Sequence, residues 1–360
     1  MKENIIRELV KDTKPRDIKN LSEKIKDLLI NLDIPKSEWE FYVGLSGKLP
    51  ERYRRIKAEL VKKGLIVNEN KDSSEFEVFF PENVKIRNSL YLSCLSKCTS
   101  SLQTNVNISF GKNSKGTVMI GSPVPKLFSS FYPKSEININ LDEGSIGDVV
   151  IMFSFDNETS SRTKINLNVG KNAILNFVTV TFSSGKDMGL EVNAKQFDNS
   201  QLFFDEVSFM LEENSYKGTV ANVDIFGKKS FLKMENADFS FQQGISKTAY
   251  FANVKKGAKG SQTDLRSFGL DFSQGAEKLF LPGLYTEEDD VSLEHGAGNA
   301  QMSEEKIEFL KARGLSEKDI MTLIIESTLE RTVYNRLPDK FLLEMKNFSK
   351  YILKSGNYIL

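Results

Sequence analysis

Histidine is almost absent from this chain: one, His295, serves all 360 residues. Cysteine is scarce too, with only Cys94 and Cys98. Two cysteines cannot staple a small secreted fold, so a disulfide framework is excluded and a cytoplasmic location is the default expectation. Charge of one sign is lacking, because 49 Lys and Arg balance 49 Asp and Glu. A nucleic-acid binder needs a basic surplus, so no nucleic-acid partner is expected. No stretch approaches the roughly 18 apolar residues that cross a bilayer. The opening residues, Met1-Lys2-Glu3-Asn4-Ile5, have charges threaded through them and no apolar export core. No membrane partner is expected either. Also missing are a Gly-rich phosphate loop, a Gly-x-Ser-x-Gly elbow and any closely spaced metal motif.

What is present falls into three regions. Residues 1–84 read as mainly helical. Leu21, Ile25, Leu28, Leu29 and Leu32 recur at spacings of three and four, and Tyr53, Ile56 and Leu60 share a face before a stop at Lys63-Gly64. The run Glu59–Val67 followed by Phe76–Phe80 also fits the helix and wing of a winged-helix module, a pattern of low specificity.

From 85 to 296 the period changes to two. Val106–Phe110, Ile137–Leu141, Lys164–Val169 and Val223–Phe226 alternate apolar with polar, as half-buried strands do. Gly144, Gly170, Asp198, Gly227 and Gly257 mark turns 26, 28, 29 and 30 residues apart, and a second, more apolar strand often follows each. A strand-only repeat of that length predicts a β-solenoid whose coils bury their inward faces by stacking. Phenylalanine, at 26 residues, suits aromatic layers inside such a coil. A β-sandwich also alternates strands with turns, but repetition of the whole two-strand unit favours the solenoid. Its ends would need capping, and helices on both sides could supply the caps.

The last region, 297–360, is read as helical, with the change beginning directly after Glu294-His295-Gly296-Ala297-Gly298. Ser303 is a candidate N-cap, Ile307, Phe309 and Leu310 form a stripe, and Gly314 is the stop. Ser316–Asp319 reads as a capping box opening a helix with Ile320, Leu323, Ile324 and Ile325. Pro338 starts a third helix with Phe341, Leu342, Met345, Phe348 and Ile352.

Candidate chemistry is sparse. Cys94 and Cys98 fall on one strand face with leucines, the setting of small buried hydrophobes. His295 and the acids around it, Glu287–Asp290 and Glu294, are the richer group. A carboxylate beside an imidazole can ligate iron or orient the ring, whereas a charge run is more often a solvated loop. In a strand, Glu294 and His295 would point to opposite faces, so a shared metal would need a bulge or a ligand from another chain.

One ordered set of short motifs is more specific. It comprises Lys256–Thr263, Pro282-Gly283-Leu284, Asp289-Asp290-Val291, His295-Gly296-Ala297, Ser303-Glu304-Glu305 and Ala312–Glu317. In this combination the stretch from Gly257 to about Ser327 resembles the SufB/SufD family of iron–sulfur cluster assembly scaffolds. SufB-type subunits carry a cysteine upstream of the histidine and tend to have a glutamate after it. Here no cysteine follows Cys98 and Gly296 follows the histidine, so the chain is closer to the SufD type. The resemblance implies a mainly β protein, a right-handed parallel β-helix flanked by N-terminal and C-terminal helical regions. It implies pairing with a SufB-like subunit, or with a second copy, through the end of the β-helix. It implies docking of a SufC-like ATPase on the C-terminal helices, where Leu310, Arg313, Gly314, Leu315, Ile320, Leu323 and Ile324 are the candidates. A transient iron–sulfur cluster would be shared with the partner, none being held tightly by this chain alone, with His295 and Glu294 as candidate contributors. The chain would be a scaffold and no enzyme. A structural β-solenoid adaptor and, behind it, a β-helix carbohydrate-active enzyme are the alternatives.

Overall fold

A computed structural model describes residues 64–70, 75–86, 90–93, 103–121, 134–155, 160–183 and 187–332. Within them the period-two pattern becomes two sheets that the chain visits in turn. The first holds β1 (Ile66–Asn70), β2 (Glu75–Phe80), β4 (Gln103–Phe110), β6 (Lys134–Leu141), β8 (Ser160–Val169), β10 (Asp187–Gln196), β12 (Tyr216–Ile225), β14 (Ile245–Val254) and β16 (Glu277–Thr286). The second holds β3 (Leu90–Ser93), β5 (Lys115–Gly121), β7 (Ile146–Phe155), β9 (Ile174–Ser183), β11 (Gln201–Met210), β13 (Phe231–Ser240), β15 (Ser261–Asp271) and β17 (Val291–Gln301). Apart from the β1–β2 hairpin, the pairings are parallel, each strand lying on its equivalent from the coil before. The protein is a parallel β-solenoid, and the sandwich alternative falls.

Alternation explains why the coils stack. Along β8, Ser161, Thr163, Ile165, Leu167 and Val169 are buried while the residues between them are at least partly exposed. The buried positions line up across coils. Ile137, Ile165, Val192, Ala221 and Tyr250 form one inward column, and Val149, Phe177, Phe204, Met234 and Leu265 form its counterpart in the other sheet. Where the first column shrinks to Ala221, its next member is the bulky Tyr250, whose ring lies 5.6 Å from Phe204. Each fully buried Phe or Leu in such a column contributes about 1.5–3 kcal/mol.

The turns stack as regularly as the strands. Asn83, Asn113, Gly144, Asn172, Asn199, Lys229 and Gly260 all have positive φ. Each donates its amide to a carbonyl in the turn of the following coil, as Asn113 does to Glu143 (3.0 Å) and Asn172 to Asp198 (2.9 Å). Asparagine tolerates this left-handed geometry better than most residues, which is why it recurs there. Gly227 serves differently. A Cβ there would land within the Phe197–Asp198 backbone of the preceding coil, so this glycine permits close stacking.

The outward face of the second sheet is buried as well. Val150, Met152, Val178, Val180, Phe182, Val207, Phe209, Ala237 and Phe239 form a second apolar cluster on it. Two helices follow the solenoid, α1 (Glu304–Lys311) and α2 (Glu317–Thr332), and α2 covers that cluster with Met321, Ile325 and Leu329. Aromatic layers therefore occur on both sides of one sheet, with Phe177 on Phe204 inside (5.0 Å) and Phe182 on Phe209 outside (5.1 Å). The helix boundaries follow the expected signals. The Ser303 hydroxyl accepts from the Lys306 amide, Gly314 has φ of +89°, and Ser316 and Asp319 exchange side-chain-to-amide bonds.

Two element boundaries differ from the sequence reading. β2 lies ahead of residue 85, because Phe80 is already buried and stacked on Phe110 at 4.5 Å. The chain also does not turn helical directly after His295: β17 continues to Gln301 and α1 begins at Glu304. Pairing in register with β15 holds this Gly- and Ala-rich stretch extended against its weak intrinsic preference. The proposed helices before residue 64, Cys94, Cys98 and the helix from Pro338 lie outside the described residues.

Candidate functional site

Among the described residues the last coil of the solenoid, β16 and β17, stacks on one side only, so it presents two strand edges and an end of the interior. His295 lies there. It pairs in register with Leu265 and so continues the inward column Val149–Phe177–Phe204–Met234–Leu265. Five buried apolar residues thus end in an exposed imidazole. Glu294, one residue earlier, leaves the opposite face. Its carboxylate pairs with Arg266 at 3.0 Å, and Arg266 also binds Asp264. The strand therefore does not bring Glu294 and His295 together, as its period of two requires. The acidic run Glu287–Asp290 forms the turn between the two last strands. Glu288 accepts from the Gly257 amide (2.9 Å), which together with the Asp289 amide holds its carboxyl below the usual range. Among the described residues no group of three or more His, Cys, Asp or Glu side chains could hold a metal ion.

A second polar constellation was not singled out from the sequence. Lys217, on β12, is fully buried between the sheets, 2.8 Å from Asp238 and 3.0 Å from Glu206. Glu206 also accepts from the Tyr250 hydroxyl (2.6 Å) and the Thr219 hydroxyl (2.7 Å), and Asp238 from Ser246. Burial opposes the charge on Lys217, but Asp238 and Glu206 overcome it and raise its pKa. Burial likewise opposes ionisation of Asp238, and Lys217 and Ser246 overcome it and lower its pKa. Burial and the neighbouring Glu206 push the Tyr250 hydroxyl well above its ordinary value. The only sequence signal was a set of charges at inward positions of alternating strands, visible once the strand register is known.

The C-terminal candidates divide. Ile320 is buried and so is not on the surface, Ile324 packs against the cluster under α2, and Leu310 and Leu315 are half-buried. Arg313, Gly314 and Leu323 are exposed. Phe309, on the neighbouring stripe, is also exposed, with the Arg313 guanidinium over its ring at 4.0 Å. No helix among the described residues is long and apolar enough to cross a membrane. A groove of about 1030 Å³ crosses the outer face of the first sheet from Glu136 on β6 to Leu279 and Leu281 on β16, and His295 is not among its lining residues. Its carboxylates are engaged, Asp187 by Arg162, Glu136 by Asn166 and Glu191 by Asn193.

Comparison with known proteins identifies a family. An iron–sulfur cluster assembly SufBD family protein of Pyrococcus horikoshii is 22% identical over 383 residues, an alignment covering 95% of this chain and 84% of that protein. SufBD family proteins of Mycobacterium bovis and Mycobacterium tuberculosis are 29% identical over 108 residues, 29% of this chain and 13% of theirs. The family description "SUF system FeS cluster assembly, SufBD core domain" matches residues 94–328. That span takes in the solenoid from β4 onward, its histidine-bearing end and most of α2, and the chain belongs to the SufBD family of iron–sulfur cluster assembly proteins.

Proposed function

We propose that this chain is a SufD-like scaffold subunit on which a nascent iron–sulfur cluster is assembled, and that His295 contributes to that assembly from the open end of the solenoid. The observation that carries the reading is the exposed imidazole at the end of a buried apolar column, on the strand that ends its sheet among the described residues. A neutral imidazole nitrogen is a good ligand for iron, and its position leaves room for donors from another molecule. With too few donors of its own among the described residues, the chain supplies half a site. The other half would come from a SufB-like subunit, or a second copy, pairing along β16 and β17. Exposed Leu279, Leu281 and Tyr285 on β16 suit such a contact, since apolar surface at a free edge favours association. A SufC-like ATPase would dock on the exposed face of α1 and α2, on Phe309, Arg313, Gly314 and Leu323. The cluster is cargo, nucleotide hydrolysis belongs to the partner, and the setting is the cytoplasm.

The test is anaerobic reconstitution with the SufB-like and SufC-like partners. His295→Ala is expected to leave folding and complex formation intact and to lower cluster yield, measured as iron and sulfide per complex. Unchanged yield would remove the histidine from the mechanism. Normal folding with no partner association at all would favour a different adaptor role.

A further inference from the structure

Among the described residues β17 has one strand neighbour, β15, and its two halves are held differently. Before His295, Val291 and Leu293 pack against the core. After it come Gly296, Ala297, Gly298, Asn299 and Ala300, which offer almost no apolar bulk. Gly298 has nothing within 4 Å of where a Cβ would be. The next firm anchor is Met302, whose amide donates to the Asp271 carbonyl at 2.7 Å and whose side chain packs with the outer cluster. Between those anchors one polar side chain ties the strand inward. Asn299 donates to Asp271 Oδ2 at 2.9 Å, and Asp271 Oδ1 is bound by Lys278 from β16, in the opposite sheet. The Lys278 side chain is fully buried, and burial lowers its pKa against the pull of Asp271.

Gly269 bears out the purpose of this bridge. A Cβ there would collide with Asn299 Oδ1 and lie 2.5 Å from Lys278 Cδ and 3.1 Å from Phe280. The residue is bare where the bridge crosses it. Asn299 and His295 lie on the same face of β17, four positions and roughly 13 Å apart.

We propose that Lys278, Asp271 and Asn299 form a cross-sheet clamp that positions His295, fixing the glycine-rich half of the terminal strand so that the imidazole is presented at the open end of the solenoid. They are positioning residues and touch no cargo. The functional consequence rests on the role proposed above for His295, whereas the clamp itself stands on the geometry alone.

The test uses the full-length chain without partners. Its single histidine gives one imidazole Cε1–H signal in a 1H–13C correlation spectrum. Asn299→Ala, at an exposed position, is expected to shift or broaden that signal. It should also speed exchange of the β15-bonded amides within residues 296–301 at least tenfold, with the melting temperature nearly unchanged. Gly269→Ala, which displaces the two clamping side chains, should do the same, and Asn299→Gln, which can still reach Asp271, should restore both readouts. An unmoved imidazole signal and unchanged exchange in both disruptive variants would overturn the clamp. In reconstitution, Asn299→Ala should cut cluster yield at least twofold. If the signal moves while neither Asn299→Ala nor His295→Ala changes the yield, the clamp stands and the role of the histidine falls.

Discussion

Glu294 and His295 are neighbours in the chain and strangers in space. One binds Arg266 on the outside of the solenoid, and the other ends the inward column above Leu265. This separation makes their contributions experimentally distinct. Glu294→Gln breaks an exposed pair, which is worth little in water. It should leave the melting temperature and cluster yield near those of the parent, while His295→Ala lowers the yield alone. Equal losses in the two variants would show that the terminal strand is bulged in the working complex.

The buried Lys217 network predicts a large and specific stability effect. Lys217→Met leaves Glu206 and Asp238 charged and unpaired inside the solenoid, and breaking such a pair costs about 3–5 kcal/mol. Combining it with Glu206→Gln and Asp238→Asn should recover much of that loss, since a neutral interior needs no counter-ion. Denaturant titration of the two variants measures the difference. A single variant as stable as the parent would contradict the burial of the pair.

The same network sets a pH dependence at both extremes. Asp238 has its pKa lowered on folding, so its stabilisation is full above the ordinary value of 3.8 and is lost as pH falls through the depressed one. Lys217 has its pKa raised, so its stabilisation is full below 10.5 and is lost as pH rises through the elevated one. Neither group should alter stability between about pH 5 and 9. Thermal melts across pH should show these two losses diminish in the neutralised triple variant.

Partner docking and packing by the C-terminal helices can be separated. Ile325→Ala, on the inner face of α2, should cost about 2–5 kcal/mol by leaving a cavity against the outer cluster. Phe309→Ser with Leu323→Ser, both exposed, should leave melting unchanged and weaken ATPase binding at least tenfold by calorimetry. Full affinity in that double variant would move the docking surface elsewhere.

Gly227→Ala tests the stacking of the turns. Its new methyl group would meet backbone of the preceding coil, which cannot swing aside as a side chain does. A loss of about 1–3 kcal/mol is expected from such overpacking, read as a lower melting temperature.

Much of this architecture is legible in the chain itself. Alternation in segments such as Ile137–Leu141 and turns recurring at 26 to 30 residues suffice to predict coils, because parallel stacking repeats the same local problem in each. Ser303, Gly314 and the Ser316–Asp319 box announce the helices because capping is local chemistry. The end of β17 is not legible in the chain because Gly296–Ala300 has no intrinsic pattern and is held extended by β15. The Lys217–Asp238 pair and the Asn299–Asp271 bond join residues more than 20 positions apart, so neither can be seen before the register is known. Ile320 is among the docking candidates that the resemblance implies and is buried, since a stripe alone does not say which of its members face the body.

The cover that α2 lays over the second sheet also bears on how the protein is made. Coils can close one after another as the chain leaves the ribosome, since each needs only its predecessor. Phe182, Phe209 and Phe239 must then wait on the outside until residues 321–329, which follow every coil in the chain, arrive to shield them. Until that moment the nascent protein carries an adhesive aromatic flank, which makes the interval between the outer strands and their helical cover its hour of greatest need for chaperones.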